Sequence, residues 1–267
     1  MVTTVPVYII DAFTDQPFRG NPAGVVLLEK PASDAWMQNV AMEMNQAETA
    51  FVVPAEKGYH LRWFTPTVEV DLCGHATLAA ASILWRTHKV PKTETISFHT
   101  KSGWLHCTRQ EETIQLDFPA RKVEPCEAPL GMILAMHLSD FTSYSNGMDY
   151  LIEVKDEGIV RAIEPDFVKL AQVSCRGVIV TSPSSRDTVD FVSRFFAPSC
   201  GIQEDPVTGS AHCALGPYWA EKLGKTRLRG FQASKRGGYV QVELQGDRVL
   251  LRGQAITFLK GEIRTEV

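Results

Sequence analysis

Two stretches of this chain are apolar almost all the way round a helix, and they restrict what it can fold into more than any other feature. Gly74 to Arg86 carries a run of alanines with Leu78, Ile83, Leu84 and Trp85, and Gly209 to Leu223 is again mostly apolar. A helix without a polar face is stable only when it is surrounded, so each stretch needs its own shell of other elements. A Phe-x-Pro precedes both: Phe64-Thr65-Pro66 before the first and Phe196-Ala197-Pro198 before the second. Pro66 and Pro198 are 132 residues apart, Gly74 and Gly209 135 apart, which a duplication with a three-residue insertion explains. The competing reading is two ordinary α+β stretches that share Phe-x-Pro by chance.

The flanking segments supply the shells. Ser33 to Asn45 reads as a helix, capped by Ser33 or Asp34, with Met37, Val40, Ala41 and Met44 at i, i+3, i+4 and i+7. Glu48 to Pro54 and Tyr59 to Pro66 read as strands about a polar turn, and Thr95 to Thr100, Gly103 to Arg109 and Thr113 to Phe118 as a meander. Beyond the proline-bearing stretch Pro119 to Pro129 the order recurs. Glu164-Pro165-Asp166 opens a helix with Phe167, Leu170 and Ala171 inward, since proline costs nothing in a first turn. Strands at Gly177 to Thr181 and Val189 to Pro198 lead to the second apolar helix, bent at Pro217 where a backbone donor is missing. Gly230 to Ser234, Tyr239 to Leu244, Asp247 to Arg252 and Ala255 to Leu259 complete the strands. The expected fold class is α+β, with two pseudo-symmetric lobes that each wrap a β-sheet round a central buried helix. The lobes span residues 1–118 and 125–255, and a C-terminal strand at 256–267 is free to return to the first. With 267 residues, 44% of them hydrophobic, the chain is long enough for one large core or two small ones.

Charge and cysteine usage narrow the setting. Against 31 acidic residues stand 27 basic ones, a net charge of −4, so no polybasic surface awaits nucleic acid or an anionic leaflet. No apolar run approaches the ~18 residues that cross a bilayer, and the start lacks a signal-peptide pattern. Cysteines 73, 107, 126, 175, 200 and 213 are scattered singly without a Cys-x-x-Cys, as in a reducing compartment. A soluble, cytoplasmic protein without nucleic-acid or membrane partners is expected.

Chemistry points to the two helix starts, Cys73-Gly74-His75-Ala76-Thr77 and Thr208-Gly209-Ser210-Ala211. The first N–H groups of a helix and the positive end of its dipole attract anions, and Gly74 and Gly209 let one approach the backbone. Ionisable residues gather nearby: Glu48 at a strand start, Asp71 and His75 before or in the first helix, Glu204 and Asp205 before the second, and His212 within it. The dipole favours a neutral His75, and apolar neighbours would lift the Glu48 carboxyl towards the range useful for proton transfer. His212, on an apolar helix, reads as a core residue. No dinucleotide, P-loop or zinc-protease motif occurs, and neither Cys73-x-His75 nor His212-Cys213 has a zinc spacing, so no cofactor and no metal are expected.

Asp11-Ala12-Phe13-Thr14, Phe18-Arg19-Gly20-Asn21-Pro22-Ala23, Asn45-x-x-Glu48-Thr49-Ala50-Phe51, Arg62-Trp63-Phe64-Thr65-Pro66, Leu72-Cys73-Gly74-His75-Ala76-Thr77-Leu78 and Glu204-Asp205-Pro206-Val207-Thr208-Gly209-Ser210-Ala211 together resemble the phenazine biosynthesis PhzF-like family over most of the chain. The resemblance implies a diaminopimelate epimerase-like fold and a cofactor-free isomerase with its site in a cleft between two lobes. It implies Glu48 as acid/base, assisted by His75 and Asp205, with Ser210 and the backbone at Gly74 and Gly209 on a small carboxylate-bearing substrate; a homodimer is expected by analogy. The founding member isomerises a dihydro-hydroxyanthranilate; Ala47 stands here where the common pattern has serine, removing a hydroxyl expected to touch that substrate. Related racemases use one cysteine at each helix start, whereas this chain has Cys73 at one and Thr208 at the other. The alternatives are a racemase, epimerase or hydrolase dependent on Cys73, and a non-catalytic protein-binding module that retains the cleft.

Overall fold

A computed structural model describes residues 3–265, which fall into two units, one running to Asp117 and resuming at Arg252, the other Phe118–Leu251. In the first, strand Thr3–Ala12 pairs antiparallel with Asn21–Leu27 on one side and with Ala255–Thr265 on the other. The sheet continues from Asn21–Leu27 to a parallel neighbour, Glu48–Pro54, and an antiparallel one, Tyr59–Phe64. A short parallel contact to Ile96–Thr100 follows, then antiparallel Gly103–Gln110 and Thr113–Pro119. Helix α1 (Asp34–Met44) makes the first parallel crossover. Ser33 caps it by accepting the Trp36 N–H, Asn45 ends it in the left-handed region at φ 48, and Met37, Val40 and Ala41 close over Phe51, Val53 and Phe64. Helix α2 (Gly74–Arg86) is buried from His75 through Trp85. Its alanines keep it thin enough for strands to pack closely, and at its end the Arg86 guanidinium donates to the Ala255 carbonyl at 2.7 Å, tying the C-terminal strand to the helix.

The second unit adds α3 (Leu130–Met136), α4 (Glu157–Ala162), α5 (Phe167–Leu170) and α6 (Gly209–Leu223). Asp156 and Asp166 cap α4 and α5 by accepting the N–H groups of Ile159 and Lys169. Asp149–Glu153 pairs parallel with Gly177–Pro183, which pairs antiparallel with Phe191–Ala197, which pairs parallel with Arg227–Gln232, which pairs antiparallel with Gly238–Gln245. That alternation repeats the first unit's. In each unit a short strand, Glu69–Val70 or Ile202–Asp205, adds to the strand that ends near the Phe-x-Pro, just ahead of the buried helix. The same order of antiparallel and parallel pairings thus recurs in both units.

Several elements differ from expectation. The strand expected at Gly230 to Ser234 runs Arg227–Gln232, because Leu228, Gly230 and Gln232 form its buried face. The last strand continues from Ala255 to Thr265, and residues 266 and 267 lie outside the described residues. Strands Thr3–Ala12, Asn21–Leu27, Thr142–Ser145 and Asp149–Glu153 and helices α3 and α4 were not read from the sequence. Within α6, Pro217 cannot supply the N–H that the Cys213 carbonyl would accept; the Arg121 backbone N–H fills that place at 2.9 Å.

Candidate active site

In the first unit the parallel register sets Glu48 beside Ala23, two residues beyond Asn21, at the start of adjacent strands. The β-turn region before Asn21 is held tightly. Phe18 N–H donates to the buried Asp11 carboxylate at 3.0 Å, and Gly20 has φ +66, where a Cβ would lie 2.1 Å from the Ala12 carbonyl oxygen. Asn21 is wholly buried, and its Nδ2 lies 3.1 Å from Nδ1 of His75, the second residue of α2. An amide NH2 only donates, so Nδ1 accepts and the ring proton sits on Nε2. Nε2 lies 3.3 Å from Glu48 Oε2. Burial pushes the His75 pKa down to about 3. Cys73, the N-cap of α2, places Sγ 3.5 Å from His75 Nδ1. Thr77 steadies this corner by donating its hydroxyl to the Cys73 carbonyl at 2.6 Å.

The chemistry open to this cluster follows from the protonation state. The 3.3 Å approach of Nε2 to Oε2 does not have hydrogen-bond geometry, but a neutral imidazole with its Nε2 proton beside the carboxylate still polarises it, and burial keeps the ring from becoming the cation that a base must become. The carboxylate is thus the group suited to taking and returning a proton. The side chain of Glu48 is 13% exposed, enough to meet a bound molecule yet shielded from bulk water. Gly74 opens α2, where the first-turn N–H groups have no partner within the helix.

The second unit builds a polar knot at the start of α6. Asp205, buried at the end of its short strand, accepts the Thr208 hydroxyl proton. Gln232, fully buried, accepts the Thr208 N–H at 2.8 Å and donates to the Asp205 carbonyl at 2.7 Å and to Thr208 Oγ1 at 3.1 Å. Ser210 Oγ accepts from Arg176 Nη1 at 2.9 Å, while the same guanidinium grips the buried Asp149 carboxylate through Nε and Nη2. Thr208 commits its hydroxyl to Asp205. Gly209 begins α6 and is buried.

Thus Glu48 and His75, with Cys73, come together in the first unit, and Asp205 and Ser210 lie at one helix start in the second. Three other residues weighed from the sequence go elsewhere. Asp71 is exposed, Glu204 is held by Arg194 through two contacts of 2.6 and 3.0 Å, and His212 is a core residue whose Nδ1 donates to the Thr208 carbonyl at 2.8 Å. Asn21, Arg176 and Gln232 were missed. Asn21 belongs to the Phe18-Arg19-Gly20-Asn21-Pro22-Ala23 string, but Arg176 and Gln232 carry no local signal.

Sheets that alternate in this way about a buried helix define an α+β protein of the diaminopimelate epimerase-like fold. A hydroxyproline epimerase from Agrobacterium vitis, solved with bound trans-4-hydroxy-L-proline, shares that fold at a TM-score of 0.63 with 10% identity, over 98% of this chain and 92% of that one. The model of the phenazine biosynthesis-like protein family matches residues 10–261, and the chain belongs to that family. It is 50% identical over 261 residues to an uncharacterized isomerase of Halalkalibacterium halodurans, covering 97% of this chain and 98% of the relative. A crystal structure of a PhzF family protein from Enterococcus faecalis matches at a TM-score of 0.93 with 45% identity, over 98% of this chain and 99% of that one.

Proposed function

We propose that the protein is a cofactor-independent isomerase that moves a proton within a small carboxylate-bearing substrate. Glu48 takes the proton from one carbon and returns it to another, so no net redox change or co-reactant is involved. His75 orients and polarises from Nε2, and Asp205 acts with it on the substrate. The N–H groups at Gly74 and Gly209 and the Ser210 hydroxyl bind the carboxylate. The observation that carries this reading is the 3.3 Å approach of Glu48 Oε2 to His75 Nε2, beside an imidazole kept neutral by burial. The competing thiol reading, with Cys73 as base, lacks a second cysteine at the start of α6, where Thr208 stands.

The same reading places the protein in the cytoplasm, supported by six cysteines without a disulfide; no helix among the described residues is long and apolar enough to cross a membrane. It includes a homodimer, for which the exposed Phe18 and Phe258 rings, 5.3 Å apart, offer apolar surface, and light scattering measures the mass. The functional test is NMR in deuterated water with a dihydro-hydroxyanthranilate and a panel of cyclic amino acids that includes trans-4-hydroxyproline. Turnover of one of them is expected, with a loss of ~10² or more in Glu48→Gln and a much smaller loss in Cys73→Ser. Full turnover in Glu48→Gln together with an inactive Cys73→Ser would reverse the assignment.

A further inference from the structure

We infer that Glu48, Cys73 and His75 form a binding site for a thiophilic divalent cation of the zinc type, and that its occupation arrests the proton transfer. One donor atom from each residue lies within 4.8 Å of those of the other two, and Cys73 Sγ is 3.5 Å from His75 Nδ1. A tetrahedral zinc ion with bonds of about 2.0 to 2.3 Å sets its donors roughly 3.3 to 3.6 Å apart, so Cys73 Sγ and His75 Nδ1 already stand at that spacing, while the Glu48 carboxylate, which rests beside Nε2, swings towards them by up to about 1.5 Å. Thiolate, imidazole and carboxylate together are the donor set of borderline-soft metals rather than of magnesium or calcium.

The scaffold under the three donors is stiff. Cys73 and His75 stand at the N-cap and second residue of α2, and Glu48 opens a strand whose next five residues are buried. The local sequence gives no hint of such a site, because Glu48 lies outside the Cys-x-His pair and joins it only through the fold. Besides the Glu48 movement, binding requires two adjustments. The Cys73 thiol gives up its proton to solvent as the metal–sulfur bond forms, and Asn21 turns its amide away from His75 Nδ1. Three protein donors leave the fourth tetrahedral position for water. The cation here is an inhibitor: a carboxylate whose lone pair holds a metal cannot accept a proton from carbon. Its inhibitory effect rests on the proposed role of Glu48, whereas the binding itself does not.

Cobalt(II) serves as the probe on the reduced, full-length protein. One equivalent is expected to give a near-ultraviolet thiolate-to-cobalt charge-transfer band that zinc displaces. The band should vanish in Cys73→Ser, persist in Cys200→Ser, and need more than about 10-fold more cobalt in Glu48→Gln, a loss that even an outer-shell partner can cause. Because Cys73 variants can unfold, the wild type provides a second measurement: zinc should slow alkylation of Cys73, read by peptide mass, relative to the exposed Cys200. No band at one equivalent, or a band that survives Cys73→Ser, overturns the site. Zinc that binds at Cys73 while turnover continues at saturation overturns the inhibition. Full turnover in Glu48→Gln would sink the functional reading instead, and the cobalt titration would still decide the binding.

Discussion

Asn21 decides which nitrogen of His75 carries the proton. Its amide donates to Nδ1, which leaves the proton on Nε2, the nitrogen 3.3 Å from Glu48 Oε2. Asn21→Asp replaces the donor by an acceptor, so Nδ1 becomes the protonated nitrogen and a lone pair faces the carboxylate. The expected outcome is a reversed His75 tautomer in nitrogen-15 NMR spectra and a loss of turnover on the order of 10²-fold, the scale of a displaced acid/base group. An unchanged tautomer in that variant would remove Asn21 from the site. Sequence motifs made Glu48 and His75 legible because each stands in a recognisable string. The role of Asn21 was not legible, since its partner lies 54 residues away and no periodicity relates a strand's first residue to a helix's second.

At the scale of elements, the start of α6 depends on one side chain from a neighbouring strand. Gln232 satisfies the Thr208 N–H, the Thr208 hydroxyl and the Asp205 carbonyl together. Gln232→Met keeps the volume but leaves buried polar groups without that partner, at a cost of about 1 to 3 kcal/mol for an unsatisfied group. A urea midpoint lowered to match, with turnover reduced further because Asp205 and Ser210 lose their setting, is the expected result; an unchanged midpoint would mean that water replaces the amide. The buried helices were the most legible elements, because an all-apolar surface has only one stable location. The short strands Thr142–Ser145 and Asp149–Glu153 were not, since four or five residues carry too little alternation to register. The offset of Arg227–Gln232 shows the same weakness: Gly230 and Gln232 face the core there, although neither looks like a core residue in sequence.

For the whole molecule, acid stability should follow the two buried histidines, one on each buried helix. Burial lowers His75 to about 3 and His212 to about 4 from an ordinary 6.5. The unfolded chain therefore takes up protons between about pH 6.5 and 4 that the folded protein refuses, so stability falls as pH drops through that window and is flat above it. By pH 5 the loss is about 2 kcal/mol per histidine, and His212→Gln should remove about half of it in urea titrations at pH 7 and 5. Paired carboxylates such as Glu69, held at about 2 mainly by its hydrogen bond to Arg62, respond only at lower pH, which separates the two effects. A drop of equal size in the variant would assign the acid limb to other groups. Chain connectivity leaves its own trace in α6. The amide that stands in for the missing Pro217 N–H comes from Arg121, 92 positions before the Cys213 whose carbonyl accepts it. A truncation beginning at residue 125 would therefore discard no residue of the helix and still leave a carbonyl in its middle with nothing to hold.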